Sequence, residues 1–150
     1  MAQPIEFGGE EAFRASPEKL YGLLTDLDAM SATIPDLVSA EKVDGRMMKC
    51  VVRPGFSFLR GTMRLTIMLG ETDPPSAAVM TVAAQGIGVS MSVLSRLEIS
   101  PEDDGSRLTW SARVEELKGL VAAVSPGLIT AAADQVIRHA WNKVRTQLGE

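Results

Sequence analysis

A chain of 150 residues fits one domain and buries roughly two-thirds of its unfolded surface, so it needs no covalent staple to hold a core. The lone cysteine, Cys50, has no bridging partner and no companions at metal-ligand spacing, which excludes a structural zinc site and fits a reducing compartment. A net charge of -4, with acids and bases mixed along the whole length, argues against nucleic acid as a partner.

The opening Met1-Ala2-Gln3-Pro4-Ile5-Glu6 has no basic cluster before an apolar run, so no secretory signal is read and a cytoplasmic protein is expected. Ile5, Phe7, Gly9, Glu11 and Phe13 then alternate with more polar neighbours, the period of a strand with one face turned inward, ending near Arg14. Ser16-Pro17-Glu18 supplies a helix start: a capping hydroxyl, proline at the first helical position and an acid in the first turn. Leu20, Tyr21, Leu23, Leu24 and Leu27 follow at helical spacing. Asp26 and Asp28 bracket a break, after which Ala29 to Ile34 reads as a second short helix closed by Pro35.

From there to Glu116 the pattern predicts six strands. They are cut by turn signals at Asp44-Gly45, Arg53-Pro54-Gly55, Asp73-Pro74-Pro75, Gly86 with Gly88, and Asp103-Asp104-Gly105. Leu59, Gly61, Met63, Leu65, Ile67 and Leu69 alternate with Arg60, Thr62, Arg64, Thr66 and Met68, which fixes one apolar and one mostly wet face. The same inward face collects Met48, Cys50 and Val52; Ala78, Met80, Val82 and Ala84; Val89, Met91, Val93, Leu97 and Ile99; and Leu108, Trp110, Ala112 and Val114. Gly86-Ile87-Gly88 resembles a fragment of a phosphate loop, but a strand follows it instead of a helix, so it reads as a hairpin turn.

The last element runs from Pro126 to about Leu148. Ile129, Ala133, Val136, Ala140 and Val144 form one stripe, with Arg138, Asn142 and Arg145 opposite. Alanines fill little of the space under a curved sheet. The uncharged stretch from Gly119 to Ala133 is interrupted at Ser125-Pro126-Gly127 and falls short of the ~20 apolar residues of a spanning helix. One strand, two short helices, six strands and a long helix are best satisfied by an α+β helix-grip domain. In it a curved seven-stranded antiparallel sheet wraps the terminal helix and the whole chain, 1–150, forms one domain.

Particular residues carry a family resemblance as well. Ile5-Glu6-Phe7-Gly8-Gly9-Glu10, Ala15-Ser16-Pro17-Glu18, Leu23-Leu24-Thr25-Asp26 and Ile34-Pro35-Asp36 resemble the opening of the carbon monoxide dehydrogenase G-subunit family. That family lies in the START-like (Bet v 1-like, polyketide cyclase/dehydrase and lipid transport) superfamily. Arg53-Pro54-Gly55 with Phe58-Leu59-Arg60-Gly61, Asp73-Pro74-Pro75, and Asp104-Gly105-Ser106-Arg107-Leu108 resemble its later turns, so the likeness spans essentially the whole chain. The resemblance implies an apolar ligand cavity and a role in attaching or serving a molybdenum hydroxylase at the membrane, by handling quinone or lipid. Membrane-serving members carry a further C-terminal tail, whereas this sequence stops at Glu150, so anchoring by such a tail is not expected.

The functional expectation is a non-catalytic carrier or accessory domain that takes a hydrophobic small molecule such as a quinone, fatty acid or lipid. No catalytic residue, metal or cofactor is assigned. Its expected lining is Met63, Leu65, Met80, Val82, Met91, Val93 and Trp110 on the strands, with Val136 and Ala140 on the helix. Expected partners besides that ligand are molybdenum hydroxylase subunits and peripheral contact with a membrane. A cyclase- or hydratase-like enzyme using the same cavity is the rival reading, and a protein-binding assembly factor is a third.

Glu11 stands in the inward register, where a buried acid would seek a ligand's polar end; a bend at Gly8-Gly9 that turns it into water is the expected alternative. His139 has no orienting partner and is read as a surface residue; Cys50 is read as a small core residue. The apolar run Leu120 to Val124, between Lys118 and Pro126, is read as buried under the early helices in preference to a lip at the cavity mouth.

Overall fold

Alternation of apolar and polar side chains does become pleated strand. The computed structural model describes residues 5–34, 36–53, 61–86, 88–119 and 126–150, apart from the side chains of Pro126 and Ala132. In chain order the elements are β1 (Ile5–Phe13), α1 (Pro17–Thr25), α2 (Leu27–Ser31), β2 (Leu37–Asp44), β3 (Met47–Val52), β4 (Met63–Asp73), β5 (Ala77–Gly86), β6 (Val89–Glu102), β7 (Gly105–Gly119) and α3 (Pro126–Gln147). Residues 54–60 and 120–125 lie outside the described residues, and with them the start of the Leu59 strand pattern and the apolar run before α3.

The seven strands form one antiparallel sheet in the order β1-β7-β6-β5-β4-β3-β2. Six of the strands are joined in sequence as hairpins, while β1 pairs with the last strand. The chain therefore leaves one edge of the sheet and must cross to the other, and α1 and α2 make that crossing. Bulges between Leu69 and Thr72 on β4, and between β6 and β7 beside Ser92 and Val93, bend the long strands and curl the sheet.

The early helices are capped as their sequence directs. The Ser16 hydroxyl accepts from the Lys19 amide at 3.2 Å. Asp26 ends α1 and caps α2, its carboxylate accepting from Asp28 and Ala29. That double use starts α2 at Leu27, two residues ahead of the expected Ala29, and Ser31 rather than Ile34 is its last residue.

Three packed clusters follow. Leu20 and Leu24 of α1 join Phe13, Ile99 and Leu108 from the sheet with Val144 and Leu148 from the end of α3. Leu27 and Met30 of α2 cover Met48, Cys50, Ile67 and Met80. Val52, Met63, Ala84 and Val89 close a third group. Cys50 is thus the core residue expected, and burial pushes its thiol pKa up. His139 is exposed, as expected.

Two expectations are corrected here. The β1–β7 register runs unbroken from Ile5 opposite Val114 to Phe13 opposite Ser106, so Gly8-Gly9 makes no bulge and Glu11 keeps its inward position opposite Leu108. Gly9 is there for a different reason: a Cβ on it would stand 3.3 Å from the Trp110 ring, which needs the room. Arg145, expected on the wet side of the last helix, instead reaches β1, its guanidinium 4.9 Å from the centre of the Phe13 ring.

Candidate functional site: the concave face of the sheet

Directly opposed residues of an antiparallel sheet share a face, so the register can be followed across the strands as ladders. One ladder runs Cys50, Leu65, Ala84, Met91, Leu117; the next runs Met48, Ile67, Val82, Val93, Val114, Ile5. Leu69, Met80, Ser95, Ala112 and Phe7 form a third, and Ala78, Leu97, Trp110 and Gly9 a fourth. Six of the seven expected strand residues stand on these ladders, and Met63, two residues before Leu65 and packed with Ala84 and Val89, shares their face.

Their burial separates them. Met63 and Met80 are buried in packed clusters, and Leu65 bridges two of these clusters. Met91 and Val82 lean on cluster edges, while Val93 is half-buried and joins none. On the helix, Val136 and Ala140 are likewise half-buried and outside the clusters, whereas Val144 and Leu148 are buried in one of them. The close backbone approach of α3 is to β1. Its C-terminal end is packed against the sheet, while Val136 and Ala140 in its middle, like Val82, Met91 and Val93 on the strands, stay partly exposed.

The packed end is fastened by polar contacts that keep α3 in place. The Glu150 carboxylate accepts from the Arg14 amide at 2.8 Å and from the Ala15 amide at 3.2 Å. Ser106 is buried and its hydroxyl donates to the Ala15 carbonyl at 2.8 Å, so the start of α1 is tied to β7. Arg145 meets Glu11 at 3.4 Å, with side chains 30% and 28% exposed, and donates to the Ala12 carbonyl at 3.4 Å. On the ladders of β4 to β7 and β1, the titratable side chain is Glu11, and it is already paired.

Sequence reasoning missed Trp141. Its ring centre lies 6.3 Å from that of Phe13 and 6.1 Å from that of Trp110, which in turn stands 6.4 Å from Phe7. These aromatic rings line the β1–β7 side of the sheet, beside the packed end of α3. A signal existed: Ile137, Trp141, Val144 and Leu148 repeat at helical spacing beside the alanine-bearing stripe.

A curled seven-stranded antiparallel sheet, two short helices after the first strand and a long C-terminal helix make this a helix-grip protein of the Bet v 1-like fold. Over residues 9–149 the chain matches the model of the carbon monoxide dehydrogenase G-subunit (CoxG) family, and it belongs to that family. A conserved protein from Geobacillus kaustophilus is similar at 19% identity, with 96% of this chain and 95% of that one covered and a TM-score of 0.89. The structure of Ara h 8.0201 matches at 15% identity over 99% and 100% of the two chains, TM-score 0.74. That of the Mll3558 protein from Rhizobium loti matches at 18% over 97% of each, TM-score 0.69. No curated protein matches the sequence. Among the described residues no helix is long and apolar enough to cross a membrane.

Proposed function

We propose that this protein is a non-catalytic carrier that holds a hydrophobic small molecule, a quinone, fatty acid or lipid, between α3 and the concave face of the sheet. The observation that carries the reading is that Val82, Met91, Val93 and Leu97 on one face of the sheet, and Val136 and Ala140 on α3, are all only half-buried. Apolar surface of this kind gains about 25 cal/mol for every Å² a guest removes from water. Met63, Leu65, Met80 and Trp110 complete the lining.

A carrier is favoured over a cyclase or hydratase by the chemistry of that face. An enzyme of that class needs a free acid or base near its substrate, and the inward carboxylate Glu11 is engaged by Arg145. Membership of the CoxG family supports service to a carbon monoxide dehydrogenase-type molybdenum hydroxylase; peripheral contact at a membrane and a cytoplasmic location belong to the same proposal.

The test is native mass spectrometry of gently purified protein, followed by uptake measurements with quinones, fatty acids and phospholipids. A bound organic molecule, or saturable uptake of one class, is expected. Protein that emerges bare and takes up none of them would sink the reading.

A further inference from the structure

The Nε1 atom of Trp141 is shut off from solvent and meets no hydrogen-bond acceptor among the described residues. An indole nitrogen only donates, and native structures rarely leave a buried donor unpaired, because it has given up water without replacement. Its ring neighbours, Phe13 and Trp110, present aromatic surface and no conventional acceptor. Trp141 and Trp110 both pack against the buried cluster of Phe13, Leu108 and Val144, and Trp110 belongs to the concave ladder of Leu97 and Gly9, so the donor lies on the concave side near β7.

Charge narrows what can meet it. One helical turn beyond Trp141, Arg145 is already occupied by Glu11 at 3.4 Å and by the Ala12 carbonyl at 3.4 Å. A carboxylate arriving beside Trp141 would meet an arginine whose charge Glu11 already neutralises. A neutral oxygen needs no such charge and satisfies the donor.

We propose that Trp141 is a ligand-binding residue whose indole N–H donates to a neutral carbonyl oxygen, of a ketone or ester, on the apolar molecule held between α3 and the sheet. This rests on the carrier reading and adds to it both a polar contact and a ligand class, excluding free fatty acids as the preferred guest.

The experiment compares three probes of equal chain length, heptadecan-2-one, heptadecane and heptadecanoate, on protein with 15N-labelled tryptophan. The chain has two tryptophans, so two indole N–H resonances are followed, and Trp110→Phe assigns them. The ketone is expected to move the Trp141 resonance downfield while heptadecane does not. Trp141→Phe is expected to weaken ketone binding about tenfold more than it weakens heptadecane binding. Ketone and alkane bound equally well with no downfield movement, or heptadecanoate bound more tightly than the ketone, overturns the assignment and leaves the carrier reading standing. Wild-type protein that binds none of the three overturns both. The resonance measurement uses wild-type protein, so it holds even if Trp141→Phe folds poorly.

Discussion

Glu11 on β1 and Arg145 on α3 meet at 3.4 Å across the concave side of the sheet, each side chain less than a third exposed. The contact joins the first strand to the last helix, and Arg145 also lies over the Phe13 ring. Its long stem therefore contributes packing as well as charge. A double-mutant cycle with Glu11→Gln and Arg145→Met is expected to give a coupling of about 0.5–1 kcal/mol, from urea unfolding at low salt. Arg145→Ala should be more damaging than Arg145→Met, because it also uncovers Phe13. Equal losses in the two variants would remove the packing part of the argument.

Asp26 ends one helix and caps the next. Asp26→Ala leaves the amides of Asp28 and Ala29 without their carboxylate acceptor and is expected to destabilise the protein by about 1 kcal/mol; Asp26→Ser should recover most of it. Chemical denaturation of the three proteins decides this, with Ser16→Ala as the comparison at a single-use cap.

Much of the fold was legible because a strand with one wet face writes its period of two into the sequence, as in Met63, Leu65 and Ile67 against Arg64, Thr66 and Met68. The hairpin order followed from the turn residues. What escaped was decided by contacts between distant segments. Glycine at 8 and 9 reads locally as a break, but Gly9 accommodates the Trp110 ring of a strand just over a hundred residues away. Arg145 reads as a solvent residue until Glu11 and Phe13 are brought beside it. Of the candidate site, the concave face was readable, whereas the division into a sealed end and a half-open centre depends on where α3 lies, which no periodicity states.

Burial raises the pKa of the Cys50 thiol above its ordinary value of 9.0. The folded protein then holds this proton when the unfolded chain has released it, so stability falls as pH rises above the unfolded value. The contribution is fully present below about pH 9 and is lost as pH rises through the folded value. Cys50→Ala should flatten that alkaline decline, read from unfolding midpoints between neutral and strongly alkaline pH. Native Cys50 should also resist a thiol reagent at neutral pH and react once the protein is denatured.

The sealed end and the half-open centre must respond differently to a change of side-chain volume. Leu108 is fully buried, and Leu108→Ala is expected to cost about 2–5 kcal/mol through lost contacts and the cavity left behind. Val93 lies on the same concave face and is only half-buried. If it borders space for a guest, Val93→Phe should be accommodated with little loss of stability and should reduce uptake of an apolar probe. If the helix and sheet interlock there, the added ring has nowhere to go, and overpacking should destabilise the protein by about 1–3 kcal/mol. Unfolding midpoints and uptake measured on the same two variants separate these cases, because a filled core would lose stability at both positions while a hollow one loses it only at Leu108.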